Sequence, residues 1–185
     1  ENVKYWLNRF SDWDLESPNR LFGETPLSIA IYMGANRLEL VKVLIKAGAN
    51  VHAVTDNGAS ILGSVCSSED GDPNVADFLI HRGADVNYRV KDRTFKWKAI
   101  RFATRVLVRL NLAKSGLVHF LATESGTTAL NHAVLRGNIE VVELLLSMGA
   151  DSRVKNDPGQ DAAAMCKSFP ELRGVLEKRE RKMKL

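Results

Sequence analysis

The stretch Lys46-Ala47-Gly48-Ala49-Asn50-Val51 is echoed twice, as His81-Arg82-Gly83-Ala84-Asp85-Val86 and as Ser147-Met148-Gly149-Ala150-Asp151. The glycines of the three echoes stand 35 and then 66 positions apart, so the second interval is close to twice the first. Self-similarity at a fixed period of roughly 20–50 residues marks a stack of supersecondary units, each burying its apolar face against the next. One further unit is therefore expected between Gly83 and Gly149, and Gly116 falls midway. Ahead of the echoes lie residues 38–45, 75–80 and 139–146, whose apolar side chains recur three and four apart and predict helices. A glycine just past such a helix takes left-handed backbone without a Cβ clash.

A second glycine follows ten positions after most anchors: Gly58 after Gly48, Gly126 after Gly116 and Gly159 after Gly149. Arg93 stands where the glycine after Gly83 is expected. These glycines open a recurring frame. It is clearest at Gly23-Glu24-Thr25-Pro26-Leu27-Ser28-Ile29-Ala30 and recurs at Gly58-Ala59-Ser60-Ile61-Leu62 and Gly126-Thr127-Thr128-Ala129-Leu130. Thr25 suits a helix N-cap, and Pro26 suits the first turn, where its missing N–H costs nothing.

This frame resembles the ankyrin signature Thr-Pro-Leu-His-x-Ala, and the spacing fits the ankyrin period of about 33 residues. The resemblance covers residues 23–176. It implies an all-α fold, an ankyrin-repeat solenoid of helix-turn-helix units with finger-like β-hairpin loops. The expected organisation is an N-terminal cap or the end of an earlier repeat at 1–22, then repeats at about 23–57, 58–92, 93–125, 126–158 and a terminal one at 159–176, then a charged C-terminal tail at 177–185. The histidine of the family signature is replaced by Ser28, Gly63 and Asn131, so its bond to a neighbouring finger is expected to be lost or replaced.

The repeat at 93–125 is the most altered. Between Arg89 and Lys114 there are nine basic residues and one acid, Asp92, a net +8 in a chain of +4 overall. Positive charge is thus concentrated in one region, with Phe95, Trp97 and Phe102 interleaved. Two layouts fit. In strict register Trp97 and Ile100 take the signature positions and residues 106–113 form the second helix, which sets Arg109 and Asn111 at normally apolar places. In the other, one continuous helix carries an apolar stripe of Ile100, Ala103, Val106, Leu107 and Leu110 opposite Lys98, Arg101, Arg105 and Arg109. The preserved repeat length favours a degenerate repeat, and either layout leaves several cations near one surface.

The remaining signals exclude function classes. No apolar run approaches the roughly 20 residues of a spanning helix. The chain opens Glu1-Asn2-Val3-Lys4 without Met or an apolar leader, which predicts a processed protein or a piece of a longer one. Cys66 and Cys166 fall at small-residue helix positions outside any metal-ligand spacing, which predicts buried free thiols and an intracellular location. No phosphate loop, zinc-protease motif or nucleophile elbow occurs, and the four histidines are scattered, so no cofactor, metal or catalytic residue is expected. Glu69-Asp70-Gly71-Asp72 lacks the spacing of a calcium loop and reads as an acidic turn.

What the resemblance implies instead is a non-catalytic protein-interaction module or scaffold, free or as a subunit of a larger assembly. Its alternatives are a regulatory or targeting domain of a larger enzyme or channel, or a nucleic-acid-binding adaptor. Ankyrin arrays bind through finger tips and concave first helices. In this sequence those places are Val54, Asp56 and Asn57, Tyr32 and Met33, and Leu135 and Arg136, together with Arg89, Lys91, Arg93, Lys98, Arg101, Phe102 and Arg105 of the basic region. The expected partner is another protein with an acidic surface, whose carboxylates suit bidentate arginine contacts. A membrane surface or nucleic acid is a lesser expectation.

Overall fold

The computed structural model describes residues 14–18, 23–33, 36–68 and 70–182. The expected helix at residues 3–10 and most of the cap reading for 1–22 lie outside them. Within them the chain forms ten α-helices: α1 Pro26–Ala30, α2 Arg37–Lys46, α3 Ile61–Ser67, α4 Pro73–His81, α5 Phe95–Arg109, α6 Gly116–Thr123, α7 Ala129–Arg136, α8 Ile139–Ser147, α9 Ala162–Met165 and α10 Pro170–Lys182. Among the described residues the only β-pairing is an isolated bridge, Val54 to Ser60.

The sequence sets the start of each first helix of a repeat. The side chains of Thr25, Ser60, Thr128 and Asp161 accept from the backbone N–H three residues on, at 3.3, 3.1, 3.3 and 2.9 Å. Each cap satisfies a donor that the helix itself leaves orphaned, worth about 1 kcal/mol. Asn131, in the signature histidine's place, folds back on its own cap and accepts from the Thr128 backbone N–H at 2.9 Å, closing a capping box.

Helices pair α1 with α2, α3 with α4, α7 with α8 and α9 with α10, and the pairs stack through a continuous core. Leu27, Leu62 and Leu130 of the first helices meet Val41, Leu79, Val141 and Leu145 of the second, all almost fully buried. Burial of each such leucine contributes about 1.5–3 kcal/mol. Leu172 and Leu176 of α10 close the far end, and α10 runs on through Lys182, into the segment read as a charged tail.

The stacking order departs from the strict register. α3 packs against α7, and α4 against α8, with no helix pair between them. Finger hydrogen bonds show why. In the first finger Thr55 N donates to Ala59 O at 3.0 Å and Gly58 N to Thr55 O at 2.9 Å; in the last, Asn156 N donates to Gln160 O and Gly159 N to Asn156 O, both at 2.9 Å. The middle finger makes the same two bonds across a long gap, Val90 N to Thr127 O and Gly126 N to Val90 O, both at 2.9 Å. Residues 91–125 are therefore inserted at a finger tip.

This corrects the reading of 93–125 as a degenerate repeat, whereas residues 98–109 lie in one continuous helix as the alternative layout has it. α5 is one continuous helix through the place where strict register breaks it, but it is followed by a second helix, α6. Gly116 opens α6 and is absent from the positive-φ glycines, whereas the anchors Gly48, Gly83 and Gly149 have φ of +102°, +94° and +90°. Asn111 supplies the left-handed turn after α5, with φ of +57°. The insertion is nearly one repeat long, so the Gly83 to Gly149 interval imitated two periods.

No described helix is long and apolar enough to cross a membrane. Cys66 and Cys166 are unpaired and buried, and burial pushes the Cys66 thiol up to about 12.

Candidate partner-binding surface

The basic region is built around a charge that faces inward. Trp97, Arg101, Thr104 and Val108 recur at helical spacing on the side of α5 that meets the rest of the chain. Arg101, expected as an exposed contact, is 1% exposed. Its Nε lies 2.8 Å from an Asp92 carboxylate oxygen and its Nη2 lies 3.1 Å from one of Glu124. Nη2 also donates to the Asn57 carbonyl at 2.7 Å, so one guanidinium ties both ends of the insertion to the first finger. Burial raises the Glu124 pKa, Arg101 works against that, and Asp92 adds to it.

A second tie is made at the last finger. Asp157 receives Arg105 Nη2 at 3.3 Å and Arg89 Nη2 at 3.5 Å, and the Ser125 hydroxyl donates to it at 2.5 Å. The Ser125 hydrogen bond, then Arg105 and Arg89, hold its carboxyl below the usual range against the opposing effect of desolvation. Arg89 also donates to the Gly126 and Lys155 carbonyls, Arg105 to that of Ala122, and Arg93 to that of Val54 at 3.2 Å. Arg101 and Arg105 thus fasten the inserted hairpin, and Arg89 ties the middle finger to the last one. The cations left exposed without such ties are Lys91, Lys96, Lys98, Arg109 and Lys114.

The other expected contact residues fall into three groups. Tyr32, Asn57 and Arg136 line a cleft of about 490 Å³ between the first helices and the hairpin. Met33 and Leu135 are exposed at the ends of α1 and α7. Val54, Asp56 and Arg93 line a second hollow beside the fingers, while Lys91, Lys98 and Phe102 are exposed elsewhere. Asp56 sits under Gly23, where an added Cβ would meet its carboxyl at 2.3 Å, so that finger tip approaches the backbone before α1 closely.

The cleft has walls of unlike origin. One carries Tyr32, Arg37, Ser64, Ser67 and Arg136 from the repeats, and the other carries Trp97 and Phe120 from the insertion. Arg37 is buried and donates to the Asp70 carbonyl at 2.7 Å, leaving its Nε without a hydrogen-bond partner. Asp70 belongs to the acidic turn, and Asp72 of that turn caps α4 through Asn74 N at 2.8 Å. Phe120, Arg37, Glu124 and Asp157 were not expected to contribute. Phe120 lies in what reads as a finger, and the other three act through partners far along the chain. Behind Phe120, His132 is 2% exposed and shares a hydrogen bond of 3.1 Å with the Thr127 hydroxyl. Burial, with Arg136 and Arg101 nearby, lowers its pKa to about 4.

A family description of ankyrin repeats, in three copies, matches residues 1–90, and a single ankyrin repeat matches residues 125–157. The chain belongs to the ankyrin-repeat family. The two ankyrin matches leave out almost exclusively the inserted hairpin and the stretch after residue 157. Among curated relatives, the ankyrin repeat and KH domain-containing protein mask-1 of Caenorhabditis elegans is 28% identical over 85% of this chain and 7% of its own length. The BRCA1-associated RING domain protein 1 of the same animal is 28% identical over 54% of this chain and 14% of its own length. A putative ankyrin repeat protein of fowlpox virus is 32% identical over 46% of this chain and 26% of its own length. The chain thus spans only a small part of the relatives it matches. Ankyrin repeats generally serve as protein-protein interaction modules and are typically non-catalytic.

Proposed function

We propose that this chain is a non-catalytic scaffold that holds a segment of a partner protein in the cleft between its first helices and the inserted hairpin. The observation that carries this reading is the pairing of walls: Trp97 and Phe120 face Tyr32, Ser64, Ser67 and Arg136 across a space of about 490 Å³. Aromatic faces supply apolar contact at low entropic cost, and the hydroxyls and Arg136 supply direction. Lys91, Arg93 and the finger residues Val54 and Asp56 extend the surface toward a partner with acidic groups, where exposed cations speed encounter. Arg101 and Arg105 leave the contact set and act by fixing the hairpin, and Arg89 leaves it to tie two fingers together.

Affinity capture from native extract tests this, comparing the wild type with Tyr32→Ala/Arg136→Glu. Both side chains are exposed, so the fold persists, and proteins recovered by the wild type are expected to be lost. Unchanged recovery removes the cleft as the docking site. A second reading, that this scaffold is one part of a longer polypeptide with further domains, is supported by the small share of its relatives that it spans and by the KH and RING domains in their names. The size of the native polypeptide on an immunoblot tests it.

A further inference from the structure

The outer face of α5 is apolar and uncovered. Phe95 is 85% exposed and Phe102 70%, and Ala99, Ala103, Val106 and Leu110 complete a stripe at helical spacing. Beyond it, Leu112 of the turn and Leu117 at the start of α6 are also exposed. α5 and α6 pack chiefly against each other, so the side chains of α5 and the turn crown a projecting hairpin, while Leu117 lines a separate hollow of about 790 Å³ with Phe120 and Leu135. From Arg93 to Thr123 there is no aspartate or glutamate. Lys98, Arg109 and Lys114 are exposed beside the apolar residues.

A contiguous apolar surface of this kind marks an interaction site. Its shape and charge discriminate between occupants. A protein partner has to supply a groove that fits a convex hairpin and acidic groups placed opposite each cation. A bilayer supplies a deformable apolar layer under a sheet of phosphates, which accept cations wherever they lie around the stripe. Amphipathic helices with lysine or arginine on one side and phenylalanine or leucine on the other lie in such interfaces.

We propose that the outer face of α5 and the tip of the hairpin rest on an anionic phospholipid bilayer. Phe95, Phe102, Leu110 and Leu112 enter the boundary of the acyl layer, and Lys98, Arg109 and Lys114 sit among the phosphates. This goes beyond protein docking and uses a different side of the hairpin, because Trp97 and Phe120 line the cleft. A scaffold attached in this way presents its repeats to a partner at a membrane surface.

Vesicle flotation with the full 185-residue chain tests the proposal. Vesicles of phosphatidylcholine with about 30% phosphatidylserine are expected to carry the protein, and vesicles of phosphatidylcholine alone are not. Added salt is expected to release it, since screening weakens the attraction of exposed cations. Phe102→Ser/Leu112→Ser is expected to lower partitioning by about tenfold or more, because two apolar side chains no longer enter the layer. Lys98→Gln/Arg109→Gln is expected to lower it by roughly fivefold per charge. All four positions are exposed, and unchanged thermal melting verifies that each variant is folded. Failure of the wild type to float with the anionic vesicles overturns the proposal and leaves the face to a protein partner. Equal flotation of Phe102→Ser/Leu112→Ser overturns it as well. Neither result bears on capture through the cleft, which Tyr32→Ala/Arg136→Glu reads separately.

Discussion

Helices α4 and α5 follow one another in the chain and are both amphipathic, yet they turn opposite faces inward. α4 buries Val75, Ala76 and Leu79 against its neighbours, whereas α5 buries Arg101 and Thr104 and shows Phe95, Phe102 and Leu110 to the outside. The difference lies in what each helix rests on. α4 has an apolar helix on either side in the stack. α5 stands on polar groups, the Asn57 carbonyl of the first finger and the Asp92 and Glu124 carboxylates at the two ends of the insertion. Amphipathicity tells which residues share a face, and the surface beneath decides which face goes in.

The strongest way to break this contrast is to remove the inward charge. Arg101→Ala leaves Asp92 and Glu124 in a buried site without their cation, and breaking a buried pair costs about 3–5 kcal/mol. We expect the loss to fall on the hairpin alone. Hydrogen exchange should show the α5 and α6 amides opening more readily by that amount, while amides of α7 and α8 keep their protection. Equal loss in both regions would mean that hairpin and stack form one cooperative unit.

The second test sits on the stack side of the contrast. His132 is buried neutral, with a pKa of about 4 against an ordinary 6.5. The unfolded chain therefore takes up a proton on this residue as pH falls through 6.5, and the folded chain does so only near 4. Stability is full above pH 6.5 and declines by about 3 kcal/mol down to pH 4. Urea unfolding across that range should show the decline, and His132→Gln should remove that part of it.

The smallest effect is expected from excision. Replacing residues 91–125 with Asp-Asn rebuilds a tip like Asp56-Asn57 between Val90 and Gly126. Because the stack runs from α3 directly to α7, its unfolding free energy in urea should change by only about 1 kcal/mol, as for a separable unit. A much larger loss would show that the hairpin supports the stack.

Much of the fold was legible because repeats write local rules many times over. Thr25, Ser60 and Thr128 each announce a helix start, and Gly48, Gly83 and Gly149 each announce an end. The hairpin was illegible for a numerical reason, since an insertion of nearly one repeat leaves the period intact. Two residues did carry the signal: Arg93 where a tip glycine belongs, and Asn111, able to turn left-handed within an apparent helix. Of the expected contact residues, Tyr32, Asn57 and Arg136 meet in the cleft because first helices and fingers have fixed places in a repeat. Arg101 could not be placed from sequence. Its carboxylate partners stand 9 and 23 positions away, and only the folded finger brings them together.

The two hydrogen bonds that close the middle finger have a mechanical consequence. They join Val90 to Gly126 and Thr127, so the 35 residues between them lie off the line of tension when the chain is pulled from its ends. The hairpin stays unloaded until this clasp gives way. Behind the clasp the Arg101 ion pairs still join Asp92 to Glu124, and once they and the hairpin helices also yield the contour grows by roughly 120 Å, the extended length of about 35 residues. The array thus holds a reserve of slack behind two backbone bonds and one buried guanidinium.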